Sequence, residues 1–182
     1  MISDEELYRR CFDSDEDALR ELLERHREGL TLFLFGIVGN MEDAEELAMD
    51  TFAVMLTNKN PFAGRSSFRT WLFAIGRNLA LIFLRRHRGH TLSLQEITSL
   101  VHEEHTELQM IRSEDRQHLY EALFSIHENY RQALYLTYFE GMSVREAAGV
   151  MGKTERQISD YLYRGKAALK TVMERRGFRY SV

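Results

Sequence analysis

SVREAAGVMGKTERQISDYLYRGKAALK, residues 143–170, carries two helix-start signals in succession. Ser143 with Glu146, and Thr154 with Gln157, have the spacing of capping boxes, in which the first side chain bonds the backbone N–H three residues on and the second bonds back. Gly152 stands where the first helix must stop. Two capped helices joined at Met151-Gly152-Lys153 make a helix-turn-helix, although a short hairpin in a helical bundle uses the same caps. Ile158, Leu162, Gly165, Leu169 and Val172 mark the buried side of the second helix. Arg156, Ser159, Asp160, Tyr163, Arg164 and Lys166 are left outside or flanking, a composition suited to the major groove of DNA.

The rest of the chain agrees with a helical protein. Its 182 residues are 44% hydrophobic, enough for one domain or two small ones, and include one proline. No run alternates as a strand does between turn residues, so the expected class is all-α: two small helical domains joined by a linker, the second with the helix-turn-helix. Cys11 is the sole cysteine, which excludes an intramolecular disulfide and suits a reducing compartment. MISDEELYRR at the N-terminus is acidic and lacks the apolar centre of a signal peptide. The apolar patch LTLFLFGIV, residues 30–38, is too short to span a bilayer. A soluble, cytoplasmic protein without membrane insertion is expected.

The net charge of −4 conceals an uneven distribution. Residues 1–50 carry fifteen acids and five bases, residues 51–95 seven bases and no acid, and residues 153–179 eight bases and three acids. Distribution, not the average, is what a polyanion meets. The first basic island contains SFRTWLFAIGRNLALIFLRRHR, residues 67–88. At about 100° per residue, Phe68, Trp71, Leu72, Ile75, Leu79 and Ile82 share one face, and Arg77, Arg85 and Arg88 the other. Phe73 and Leu81 interrupt the cationic side. Such a face suits phosphates with bases close by, while a surface helix made soluble by arginines has the same pattern. Trp71, on the apolar face, reads as core.

Asp4 to Phe12 and Asp15 to Val38 read as helices, Gly39-Asn40 as a stop, and DAEELAMDTFAVML, residues 43–56, as the next helix, with Leu47, Phe52 and Leu56 inward and Glu42, Glu45, Glu46 and Asp50 outward. TNKNPFAGRS, residues 57–66, reads as an ordered loop. The composition shift over residues 91–111 marks a linker between units spanning 1–90 and 112–182. Leu119, Leu123 and Ile126 line one helix of the second unit. Ala133, Leu134, Leu136, Tyr138 and Phe139 crowd another, closed by Gly141.

Two His-x-x-His pairs, His87 with His90 and His102 with His105, are a weak zinc signal: HEEH is one residue short of the spacing that sets two rings and a Glu on one helix face. Cys11 has no base near it in sequence. No Gly-rich phosphate loop and no persuasive Ser/His/Asp order occurs. Neither enzymatic activity, cofactor nor metal is expected.

In order along nearly the whole chain, these stretches resemble the extracytoplasmic-function group of bacterial sigma factors, which keep two sigma domains joined by a linker. DAEELAMDTF is similar to the family's contact with core RNA polymerase, SFRTWLFAIGRNLALIFLRR to its promoter-reading helix, and residues 122–170 to its helix-turn-helix domain. The resemblance implies a promoter-specificity subunit that binds core RNA polymerase and promoter DNA, is restrained by an anti-sigma factor, and catalyses nothing itself. It assigns polymerase binding to Asp43, Glu46, Leu47, Asp50 and Phe52. It assigns the minus-ten element to Asn58, Lys59, Asn60, Arg65, Arg69, Phe73, Arg77, Asn78 and Arg85. The minus-thirty-five duplex falls to Arg156, Gln157, Ser159, Asp160, Tyr163, Arg164 and Lys166. The chain departs from the family pattern at Met49-Asp50, at Ile82 and at Ser159-Asp160-Tyr161, where Asp160 is suited to accept from a cytosine amino group. A free-standing helix-turn-helix regulator, with residues 1–90 as a sensor or dimerisation domain, is the alternative; a recombinase is a third. A closed arrangement of the two domains would hide Arg69, Arg77 and Arg164 from DNA.

Overall fold

The computed structural model describes residues 2–13, 15–59, 61–87 and 113–175. The predicted linker, Asn60, His90, His102 and His105 lie outside these residues. Helices α1 (Asp4–Cys11), α2 (Glu16–Val38), α3 (Met41–Thr57) and α4 (Phe68–Arg86) form the first unit. The second contains α5 (Ser113–Ser125), α6 (Glu128–Leu134), which runs into a wide π turn over Tyr135–Phe139, then α7 (Val144–Met151) and α8 (Glu155–Arg175). No strand occurs among the described residues.

Local chemistry sets these boundaries. Asp15 accepts from Ala18 N at 3.0 Å and starts α2; Asn40 accepts from Asp43 N at 2.8 Å and starts α3. Gly39, at φ 78°, turns the chain out of α2 in the left-handed conformation that an L side chain resists. Both predicted capping boxes form: Ser143 and Glu146 bond reciprocally, as do Thr154 and Gln157.

Helices α2, α3 and α4 pack on one another, and α1 closes the end nearest the N-termini of α2 and α4. Leu22, Leu30, Leu34, Met55, Phe68 and Leu72 have essentially no exposure, each such side chain contributing about 1.5–3 kcal/mol of apolar burial. In the second unit α6 and α8 pack together around Leu134, Leu136, Ile158 and Leu162, with α7 across α8. The π turn departs from the plain helix that the apolar run over residues 133–139 predicts. Glu140 N bonds Tyr135 O, five residues back, and the extra residue stacks Tyr135 on Phe139 with centroids 5.2 Å apart.

His26 is buried on α2, its Nε2 2.7 Å from Asp4 Oδ2, while Arg25 holds the other carboxylate oxygen at 2.7 Å. Burial pulls the imidazole below its ordinary value; Asp4 opposes this, and Arg69 and Arg25 add to it. A depressed imidazole contributes stability that is fully present above about pH 6.5 and lost as pH falls through the folded-state value. Melting temperature is therefore expected to decline on acidification from pH 7 to 5, and His26→Gln to flatten that decline. An identical decline in the variant would exclude His26 as its source.

Candidate nucleic-acid interface

Helix α8 buries Ile158, Leu162 and Gly165 against α6, where a β-carbon at position 165 would meet Tyr130 and Leu134 at 3.1 Å. This close approach leaves the opposite face free. All seven side chains expected to read duplex DNA, Arg156, Gln157, Ser159, Asp160, Tyr163, Arg164 and Lys166, are exposed on it. Tyr163 is 78% exposed, far beyond what a core ring shows. Arg164 Nε donates to Asp160 Oδ1 at 3.0 Å, and this pairing holds its guanidinium above the ordinary value. Lys166 lies over the Tyr138 ring, 5.0 Å from its centroid. Arg164 is thus not hidden, contrary to the expectation for a closed arrangement.

The other basic surface is divided. Lys59, Arg65, Asn78 and Arg85 are exposed, Asn58 and Arg69 half-buried. Phe73 and Arg77 are corrections. Phe73 has no exposure and packs on Phe33 with centroids 5.5 Å apart, because α4 is covered on a broader arc than one apolar stripe. Arg77, expected on the open cationic face, is covered by the second unit. Its Nε donates to Gln132 Oε1 at 2.8 Å, and burial pulls the guanidinium below its ordinary value. On α3, Glu46 and Asp50 are exposed and Asp43 is half-buried, but Leu47 and Phe52 are core. Those two hold the helix in place while the acids face outward.

The docking of the two units turns on Arg131 and Tyr135, which no sequence motif singles out, together with Glu146 and Arg69. Arg131 Nε donates to Gly36 O at 2.8 Å, at the C-terminal end of α2, and its Nη1 donates to Phe124 O at 2.9 Å, near the end of α5. One buried cation thereby caps two helices, and α2 has no basic residue of its own in its last turn. Tyr135 donates its hydroxyl to Gly29 O at 3.1 Å, and burial pushes that phenol well up. Glu146 serves two masters: besides its capping box with Ser143, it accepts from Ser67 Oγ at 3.0 Å, at the cap of α4. Ser143 N–H first, then the Ser143 and Ser67 hydroxyls, hold this carboxyl below its usual range against burial. Arg69 lies 3.5 Å from Glu140. Glycines inside helices were the available signal for this docking. A β-carbon at Gly29 would collide with Glu140 Oε1, and one at Gly149 would touch Thr70 at 3.4 Å.

The space between α2, α5 and α6, about 20 Å³, is far too small for a small-molecule ligand. Burial pushes the Cys11 thiol up, away from the reactive thiolate. No cluster of three metal-ligating side chains, and no helix long and apolar enough to cross a membrane, occurs among the described residues.

Residues 22–90 match the family model of sigma-70 region 2, and residues 116–169 that of sigma-70 region 4. The chain is 26% identical over 160 residues to RNA polymerase sigma factor YlaC of Bacillus subtilis, covering 86% of this chain and 92% of that protein. It is 29% identical over 146 residues to RNA polymerase sigma factor CarQ of Myxococcus xanthus, covering 77% of this chain and 80% of that one. ECF RNA polymerase sigma factor SigX of B. subtilis is 24% identical over 165 residues, covering 87% of this chain and 85% of its own. The fold is similar to that of CnrH solved in complex with the cytosolic domain of CnrY, with TM-score 0.65 and 22% identity over 92% of this chain and 95% of that one. It is also similar to RpoE solved with the anti-sigma factor NepR from Bartonella quintana, with TM-score 0.66 and 23% identity over 85% of this chain and 96% of that one. Two region matches in the expected order, on a fold shared with sigma factors, settle the family: the chain belongs to the sigma-70 family, as an extracytoplasmic-function sigma factor.

Proposed function

We propose that this promoter-specificity subunit divides its work between its two units and that the polymerase alone does the chemistry. Residues 1–90 bind core RNA polymerase and the minus-ten element, residues 112–182 bind the minus-thirty-five element, and residues 91–111 connect them. Asp43, Glu46 and Asp50 dock on the core enzyme. Lys59, Arg65, Arg69, Arg77, Asn78 and Arg85, with Asn58 and Asn60, hold the opened strand. Arg156, Gln157, Ser159, Asp160, Tyr163, Arg164 and Lys166 enter the major groove. The observation that carries this reading is the bare outer face of α8, whose recognition side chains are exposed while the inner face is locked on α6. Arg77 reaches DNA only when the two units part, because Gln132 covers it here. CnrH and RpoE were solved with CnrY and NepR; a comparable anti-sigma partner for this chain is part of the proposal, as is a cytoplasmic place of action.

In vitro transcription on fragmented genomic DNA with core polymerase, with and without the protein, tests the proposal. Discrete new starts sharing two upstream motifs support it. Duplex binding without core-dependent starts would favour the free-standing regulator, which binds as a dimer to half-sites about one helical turn apart. Counterion release supplies a second measure. Arg65→Ala and Arg85→Ala should each reduce the slope of log affinity for the opened strand against log salt by about 0.7. Unchanged slopes would remove these two side chains from the phosphate path.

A further inference from the structure

Helix α1 precedes the residues matched by the region 2 model, yet it holds the loop between α3 and α4. Within that loop Pro61, Ala63, Gly64, Arg65 and Ser66 are exposed, so little of it is fixed by burial. Two backbone N–H groups of this passage go to α1. Phe62 N donates to the Tyr8 hydroxyl at 3.3 Å, and Phe68 N, in the first turn of α4, donates to Glu5 Oε1 at 3.2 Å. The Tyr8 ring is buried and meets Phe62 edge-on, 6.0 Å between centroids, and Trp71 at 5.4 Å. Helix α1 is itself fixed: Leu7 is buried, and Asp4 is held by His26 and Arg25 of α2. The chain of support runs from α2 through α1 to the middle and the far end of the loop.

We propose that Tyr8 and Glu5 are positioning residues for promoter opening: they fix the loop carrying Lys59 and Arg65 in the shape that receives the displaced strand. This rests on the loop reading given under Proposed function. Pre-organisation of this kind is cheap to keep and costly to lose. A loop free to move must be ordered each time strand is captured, and the cost falls on opening instead of on binding to core. Tyr8→Phe removes one hydroxyl and keeps the packed ring, and Glu5→Ala removes one acceptor at a half-exposed position, so both variants leave the core intact.

The test uses the full chain with core polymerase on a promoter recovered by the transcription assay, scoring open-complex formation rate, core affinity and melting temperature. Each variant is expected to slow opening about three- to tenfold, the effect of one net hydrogen bond, with core affinity unchanged. Glu5→Gln, which keeps an acceptor oxygen, should restore the rate. Parental opening rates in Tyr8→Phe and Glu5→Ala, with Arg65→Ala slow, would overturn the positioning role alone. Parental rates in all three would overturn the loop reading and the positioning role with it. Core affinity falling in step with opening would also overturn the proposal, because α1 would then be supporting the whole unit.

Discussion

Arg131→Ala is expected to lower the unfolding free energy by about 3 kcal/mol, at the upper end for a single substitution. The guanidinium is buried and bonds Gly36 O and Phe124 O, with the Phe124 ring 5.0 Å beneath it. Hydrogen bonds from a charged donor are worth about 1.5–3 kcal/mol each, and alanine leaves both carbonyls without this donor, that of Gly36 in a buried site and that of Phe124 in a partly buried one. Part of that loss is offset because the cation no longer has to be desolvated, a cost reflected in its lowered pKa. Arg131→Lys should recover little, since a single ammonium lacks the planar fork that spans two helix ends. Urea denaturation checks this, and a loss below about 1 kcal/mol would mean that the two carbonyls find water or other donors without difficulty.

Phe68→Ala should cost about 3–5 kcal/mol, the range for emptying a fully buried aromatic site. Phe68 has no exposure and sits among Tyr8, His26, Phe62 and Trp71, whose ring centroids lie 5.5, 5.8, 5.9 and 5.9 Å away. These neighbours come from α1, α2, the loop and α4, so a void at this point loosens four segments at once. The cost therefore falls on the geometry of the first basic surface as well as on stability. Phe68→Leu, which keeps most of the volume, should lose clearly less. Equal losses for the two variants in urea denaturation would show that the site collapses around either side chain and that the ring shape is immaterial.

Much of this molecule was legible from local chemistry. Ser143 with Glu146 and Thr154 with Gln157 announce two helix starts because the bonds they make span only three residues. The spacing of Ile158, Leu162 and Gly165 announces which face of α8 is buried, and so which side chains remain for DNA. The same logic failed for α4. Its pattern set Arg77 and Phe73 opposite the apolar stripe, and a helix wheel cannot know that Phe33 of α2 covers Phe73 or that a second unit lies across Arg77. Only the tertiary structure decided that Arg77 meets Gln132, that Arg131 caps α2, and that Tyr8 holds the loop. Arg131 and Gly36 are 95 residues apart, and Tyr8 and Phe62 are 54 apart. The sequence by itself determined the all-α class, the helix-turn-helix and the charge islands, because caps, periodicity and charge act over one or two turns. The docking of the units and the covering of one cationic face depend on which surfaces meet after the helices form; beyond Gly29 and Gly149, which leave room for a neighbour without naming it, no pattern within a single helix encodes that.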